Sequence, residues 1–420
     1  MCRPPSCTLD SFHKQSGLSC GMQTKLAVIT THPIQYYAPL FRRVGDAEGI
    51  DLRVFYGWTG STEASYDPGF EQEVEWDLPL LEGYDHTFVE NESDDPGTHH
   101  FRGLINPDLV PKIEEWTPDA VLVFGWSWQS HLRALRHFSG KVPVFFRGDS
   151  TLIDEQFGLR TMARRAGLWW VYRHVNCALY VGTSNREYFE SHGLAGEQLH
   201  WVPHAIDNDR FADPEGTLQA EADEWRRELG IPEEAPTIVF AGKLSRKKAP
   251  ELLLRAFERL GASAAHLVVA GSGPLEDELR QTAPENAHFL GFQNQSRMPV
   301  VYRLGDVFVL PSRGPGETWG LAINEAMACG RAVVASTKVG CAPDLIEDGT
   351  NGFVFESENE GALAETLQAL IDRPGLRARM GAASARRIED WSLDEAARRL
   401  VRAVRKHAGA GTGLNREARA

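Results

Sequence analysis

Short apolar runs bounded by turn-forming residues recur along the whole chain. Segments 25–30 (KLAVIT), 120–125 (AVLVFG), 142–146 (VPVFF), 178–184 (ALYVGTS), 237–241 (TIVFA), 266–270 (HLVVA), 307–310 (VFVL) and 332–336 (AVVAS) are of this kind, and 51–56 (DLRVFY) alternates. Runs this short, rich in Val, Ile, Leu and Phe, suit strands of a parallel sheet covered on both faces. Between them lie stretches with helical spacing at 39–44, 129–138, 251–260, 321–329, 360–370, 375–387 and 393–406. Strand and helix in alternation predict an α/β protein with doubly wound sheets.

At 420 residues the chain exceeds what one hydrophobic core organises, so two domains are expected. The acidic, Ala-rich stretch that follows Trp201-Val202-Pro203-His204-Ala205-Ile206-Asp207 marks the boundary near residue 208. Residues 1–21 have no apolar period and read as a disordered extension, with Met22 the expected start; the Gly/Ala-rich residues 407–420 read as a tail. The forty residues after 56, rich in Asp, Glu, Gly and Pro, read as an irregular insertion.

Composition narrows the function. A net charge of −14 argues against a sequence-independent nucleic-acid binder. The six cysteines (Cys2, Cys7, Cys20, Cys177, Cys329 and Cys341) show no paired metal spacing, which fits a reducing compartment. No apolar run reaches a membrane span or a signal-peptide core, so a cytoplasmic protein is expected. Segment 159–174 interleaves Arg164, Arg165 and Arg173 with Leu168, Trp169, Trp170 and Val171. Such a helix either lies on a membrane surface or buries its apolar side in the core.

The chemistry concentrates in 306–355. Strand 307–310 turns through Pro311-Ser312-Arg313-Gly314-Pro315-Gly316 to Glu317-Thr318-Trp319-Gly320, and a helix then runs from Leu321 to a stop at Gly330. The unpaired N–H groups of such a helix start suit phosphate. Glu317 on the turn and Glu325 in the helix, with seven residues between them, frame the place. Together with the Pro-Ser turn, Glu-x-Trp-Gly, Glu-Ala-Met-Ala-x-Gly and Gly340-Cys341-Ala342-Pro343-Asp344, this stretch resembles the signature of family-4 retaining glycosyltransferases, whose two Rossmann-like domains face each other across a cleft (the GT-B class). The likeness covers roughly residues 25–405 and is most specific from 237 to 355.

The resemblance implies an acceptor-binding domain at 22–207, a nucleotide-sugar-binding domain at 208–390 and a helix at 391–406 that crosses back onto the first domain. It implies a retaining transfer from a nucleoside-diphosphate sugar to a glycan, lipid-linked or small-molecule acceptor, with no metal or other cofactor. Glu317 would meet hydroxyls of the transferred sugar and Glu325 those of the ribose. Thr318, Trp319, Gly320 and Leu321 would form the phosphate-binding helix start, and the leaving phosphate would take the acceptor proton. The basic turn Gly242-Lys243-Leu244-Ser245-Arg246-Lys247-Lys248 is a phosphate site by charge and position. Against the family's Gly-Arg-Leu, three residues, Lys, it places Lys243 at the Arg position, without the bidentate fork, and Lys248 at the Lys position. Gly271 and Gly273 of Gly-x-Gly-Pro would lie beside the donor, and Phe292 beside the base.

Three departures from the family stand out. His32, Gln35, Tyr36 and Tyr37 replace a glycine-rich loop, and His204 replaces an Asn in Val-Pro-Asn-Gly-Val-Asp. Arg147-Gly148-Asp149-Ser150 stands where relatives carry a histidine near the reacting carbon. Asp149 either serves catalysis there, with His32 as the alternative group, or caps the next helix with Ser150. Asp207-Asn208-Asp209 has the form of a metal clamp, yet its place matches the turn after Val-Pro-Asn-Gly-Val-Asp. Two other readings share the fold, a sugar-nucleotide epimerase and a glycan phosphorylase; a non-catalytic sugar-nucleotide sensor is a third.

Overall fold

The apolar runs assemble into two parallel sheets, each with helices on both faces. The computed structural model describes residues 23–416 except 63, 157 and 262–264; the expected extension 1–21, with Met22, Cys2, Cys7 and Cys20, lies outside the described residues. The first seven-stranded sheet contains β1 (Thr24–Thr30) and β2 (Ile50–Tyr56). The chain then forms the hairpin β3 (Ser65–Asp67) and β4 (Gln72–Val74) outside that sheet. It returns with β5 (Asp85–Phe88), β6 (Ala120–Phe124), β7 (Val144–Arg147), β8 (Cys177–Tyr180) and β9 (Leu199–Trp201), in the order β5-β2-β1-β6-β7-β8-β9. The second, six-stranded sheet holds β10 (Thr237–Ala241), β11 (His266–Ala270), β12 (Ala287–Gly291), β13 (Val307–Leu310), β14 (Ala332–Ser336) and β15 (Gly352–Phe355), in the order β12-β11-β10-β13-β14-β15.

Alternation along the central strands shows why they are apolar throughout. Leu26 and Val28 of β1 join one core cluster, whereas Ala27 and Ile29 join another on the opposite face. In β10, Ile238 and Phe240 face one cluster while Val239 and Ala241 face the other. Both sheets reverse winding direction beside their first strand, at β1/β6 and at β10/β13. Crevices at the carboxyl ends of strands at such reversals hold ligands in open α/β sheets.

The C-terminal helix Leu393–Arg416 crosses back to the first sheet, where Leu400 and Val404 pack in one cluster with Leu26 and Phe41. The helix continues beyond 406, so the stretch to 416 is helical rather than a tail; Ala408, buried against the sheet, shows what extends it. The insertion is also more ordered than its composition suggests. Its hairpin leaves the sheet and its segment Asp85–Phe88 adds an edge strand, whose exposed polar positions hide the strand pattern. The edge strand β9, three residues long, is equally hard to read from sequence.

Candidate active site

A cleft of 490 Å³ opens between the two sheets, lined from both sides. Of the expected site residues, Glu317, Asp149, Gly242, Lys243, Lys248, Gly271, Phe292, Thr318, Trp319, Gly320, Leu321 and Glu325 line it. Gly273 and His32 do not. A Cβ on Gly273 would lie 2.9 Å from the Gly69 carbonyl oxygen, so that glycine lets the insertion hairpin close onto the second sheet. His32 turns away from the cleft: its ring packs against Trp58 and Nδ1 pairs with the Thr31 hydroxyl at 2.9 Å. Burial lowers its pKa to about 4.

The turn after β13 delivers the two glutamates differently. Glu317 is buried beside the β10 loop, where the Lys248 ammonium contacts its Oε1 at 2.9 Å and its Oε2 at 2.8 Å. Ser312 donates its hydroxyl to Oε2 at 3.1 Å. Lys247 stands 4.0 Å from the same oxygen and donates to the Gly316 carbonyl at 2.8 Å. Burial lowers the Lys247 pKa, against the pull of Glu317.

Glu325 lies on the second turn of the helix Leu321–Ala328, with 2 % of its surface exposed. Tyr302 donates to it at 2.6 Å and Tyr36, from the first domain, at 3.2 Å. Burial raises its pKa, while the two tyrosine hydrogen bonds and Arg210 oppose the rise. Tyr36 thus reaches across the cleft to the second domain. At the start of the same helix, Trp319 is locked by an indole hydrogen bond to Asn324 at 2.9 Å, and Asn324 donates to the His204 carbonyl at 2.9 Å.

Asp149 follows β7 and accepts a 2.7 Å hydrogen bond from the Thr318 hydroxyl. The next helix begins at Leu159 with Gly158 at its cap, so neither Asp149 nor Ser150 caps it and the capping expectation is overturned. Buried Arg147 donates to the carbonyls of Val202 and Pro203 at 2.9 and 3.0 Å, fastening the strand end beneath. His204 lies against Tyr37 and Trp319; burial and Arg147 push its pKa down to about 3, with Asp149 opposing. Its imidazole is neutral and forms part of the cleft wall.

The insertion hairpin supplies the residues that sequence reading missed. Asp67 pairs with Lys243 at 2.8 Å, Phe70 lies under the same ammonium at 4.7 Å, and the Phe70 carbonyl accepts from Ser272 at 2.9 Å. Phe70 and Trp76 meet Phe292 edge to face, with centroids 4.9 and 6.4 Å away. A stretch of mixed aromatic and acidic residues inside a long insertion was the available signal. The close approach of β10 and β11 rests on Gly271, where a Cβ would sit 1.9 Å from the Gly242 oxygen.

Asp207 and Asp209 stay outside the cleft lining, and Asp209 faces Arg43 at 3.5 Å on the surface. The basic helix Leu159–Tyr172 does two things at once. It buries Leu168, Val171 and Tyr172, yet Leu159, Met162 and Trp169 are 86 %, 56 % and 60 % exposed. No helix among the described residues is long and apolar enough to cross a membrane.

Two Rossmann-like domains with a cleft between them, closed by a returning C-terminal helix, define a GT-B fold. Among solved structures, Anabaena HepE in complex with UDP superposes with a TM-score of 0.70 at 18% identity, over 92% of this chain and 100% of that one. WaaG, a glycosyltransferase involved in lipopolysaccharide biosynthesis, gives 0.63 at 16% identity over 90% and 98%. Residues 221–387, most of the second domain, match the family model described as glycosyl transferases group 1. The D-inositol 3-phosphate glycosyltransferase of Thermomonospora curvata is 33% identical over 51% of this chain and 53% of its own length. A GDP-mannose-dependent monoacylated alpha-(1-6)-phosphatidylinositol monomannoside mannosyltransferase of Corynebacterium glutamicum is 30% identical over 58% and 64%. The chain spans about half the length of the first of these curated relatives.

Proposed function

We propose that the protein transfers a sugar from a nucleoside-diphosphate sugar to a glycan, lipid-linked or small-molecule acceptor, with retention and without a metal. The carrying observation is that one cleft gathers a lysine-rich turn, a helix start and two buried glutamates from the second domain against Asp149 and Tyr36 from the first. Cleavage of the glycosidic bond loads negative charge onto the diphosphate. Lys243, Lys247, Lys248 and the N–H groups that open the helix Leu321–Ala328 are preorganised to stabilise it. A diphosphate leaves without an acid to protonate it, so the second carboxylate of a glycosidase pair is not required. The surface position of Asp209, paired to Arg43, supports the metal-free reading.

In this mechanism Glu325 orients the ribose in place of a tyrosine hydroxyl, and Glu317 holds both Lys248 and a sugar hydroxyl. Asp149 is the first-domain carboxylate tied to the helix start, through Thr318; it stabilises positive charge developing on the sugar. The test is turnover of a panel of nucleotide sugars with glycan and lipid-linked acceptors, with chelator present, followed by NMR of the product anomer. Retained transfer in chelator supports the reading. Transfer that stops with EDTA and returns with Mg²⁺ refutes its metal-free part; glycan cleavage by free phosphate, epimerised donor, or binding without turnover points to the phosphorylase, epimerase or sensor instead.

The exposed apolar residues of the helix Leu159–Tyr172 support a second element of this reading, peripheral contact with an anionic membrane. Leu159, Met162 and Trp169 are exposed on a helix that also carries exposed Arg160 and Arg164, a combination of apolar and basic groups suited to the lipid interface. Co-sedimentation with phosphatidylglycerol vesicles, lost in Met162→Glu and in pure phosphatidylcholine, is expected. Equal recovery in the supernatant with both lipids would remove the membrane from the proposal.

A further inference from the structure

At the edge of the first sheet, apart from the residues that line the cleft, three metal-binding side chains converge from three separate elements. Cys177 opens β8, His200 lies on the edge strand β9, and His407 projects from the C-terminal helix. Their ligand atoms all lie within 4.8 Å of one another. The two Nε2 atoms face each other at 3.0 Å, and the rings cross at 81°. We propose that Cys177, His200 and His407 bind a zinc ion that fastens the C-terminal helix to the edge of the first sheet.

The donor set fits the metal. Zinc is borderline-soft and takes thiolate and imidazole ligands in a tetrahedron, with Zn–N of about 2.0–2.1 Å and Zn–S of about 2.3 Å. Those bond lengths separate two ligand nitrogens by roughly 3.3 Å and sulfur from nitrogen by roughly 3.5 Å. The two nitrogens already stand near that spacing, and zinc would draw the thiol in from within 4.8 Å, with the fourth corner left to water. Cys177 is a free, buried thiol. The His407 ring is braced against Phe145 with centroids 5.9 Å apart, which holds it toward β8.

Protonation is also consistent. Burial lowers the pKa of both histidines, and the His407 imidazole adds to the effect on His200, so both are neutral near pH 7 and each offers one lone pair. Binding requires Nε2 of both rings to be free of protons, which places their protons on Nδ1. Burial pushes the Cys177 thiol up to about 12, so its proton leaves to solvent only as the Zn–S bond forms. Lys406 is the nearby cation that acts on all three groups, and Glu197 acts on both histidines as the balancing carboxylate. The consequence is structural: a bond from His407 would tie the crossing helix to strands against which apolar packing otherwise holds it.

The test is a Zn²⁺ titration of the full, chelator-stripped chain against a chromophoric competitor, with thermal unfolding alongside and Co²⁺ as a spectroscopic substitute. We expect one equivalent that raises Tm and, with Co²⁺, a thiolate-to-metal band in the near ultraviolet. Cys177→Ser and His407→Ala should each weaken that equivalent by at least about a hundredfold and abolish the Tm gain. Any zinc held by Cys2, Cys7 or Cys20 persists in both variants and is thereby subtracted. The same stoichiometry and Tm shift in wild type and His407→Ala, or the absence of the cobalt–thiolate band in wild type, overturns the proposal. Should Cys177→Ser fail to fold, His407→Ala decides alone, because it changes a half-buried side chain on the outer helix.

Discussion

Lys248 grips both carboxylate oxygens of Glu317, at 2.9 and 2.8 Å, so the two charged groups expected to meet different parts of a donor are already partners. Both are largely removed from water, with side-chain exposures of 19% and 6%. Removing one partner therefore leaves the other charge buried and uncompensated. Lys248→Met should lower unfolding free energy by about 3 kcal/mol, and the double variant with Glu317→Gln by clearly less than the sum of the two singles. Urea denaturation of the four proteins checks this; strict additivity would show that the pair is not coupled. Glu317→Gln by itself should cut turnover more than donor affinity.

Glu325→Gln should separate binding from stability. Its carboxylate meets Tyr36 and Tyr302 where the ribose is proposed to lie, so donor affinity should fall about tenfold, roughly 1.4 kcal/mol. Stability should move the other way. A carboxyl whose folded pKa is raised binds its proton more tightly in the folded state, so stability falls as pH rises from the unfolded value through the folded one. The neutral glutamine escapes that loss, and its Tm at pH 8 should equal or exceed that of wild type. A lower Tm would mean that the two tyrosine hydrogen bonds outweigh the cost of burying the charge.

Asp149→Asn keeps an oxygen for the Thr318 hydroxyl and removes the negative charge. With no helix to cap, the residue's charge is left as its contribution, and turnover should fall at least about a hundredfold, roughly 2.7 kcal/mol in the barrier. Donor affinity should change little. Near-normal turnover would remove Asp149 from the reaction.

Asp67→Asn tests the hairpin. Asp67 holds Lys243 by both carboxylate oxygens, in the place proposed for a phosphate. Releasing that half-exposed lysine should tighten nucleoside diphosphate binding by about fivefold, near 1 kcal/mol. Calorimetry with UDP and GDP measures it, and weaker binding would instead make Asp67 the group that positions Lys243.

His204 should make the protein acid-sensitive in a defined window. Its pKa is depressed from 6.5 to about 3 in the folded chain, so the unfolded state takes up a proton that the folded state refuses. Stability is full above pH 6.5 and is lost as pH falls toward 3. His131, lowered to about 4 by burial, adds a loss of the same sign. His204→Asn should flatten the dependence of unfolding free energy on pH between 6.5 and 4 by up to one proton. An unchanged slope would place the uptake elsewhere.

Amino-acid order specifies some of these features directly and leaves others to long-range packing. Apolar runs such as Val307–Leu310 and Ala332–Ser336 are enough to define the parallel strands, because a strand covered on both faces has no polar position to break the pattern. Glu317, Glu325, Lys248 and the helix at Leu321 are likewise readable, since one strand–turn–helix unit and one basic turn carry them as local sequence. How distant segments meet is settled by tertiary packing alone. Asp67, Phe70 and Trp76 reach Lys243 and Phe292 across more than a hundred positions, from a hairpin whose polar strands leave no buried periodicity to detect. The same holds for His32, which leaves the cleft to pack on Trp58, and for Asp149, which meets Thr318 rather than a helix N-terminus. It holds also for Cys177, His200 and His407, which are unrelated in spacing along the chain. Local pattern encodes which faces are buried; the partners of a polar side chain depend on the packing of whole domains, and no local period records that.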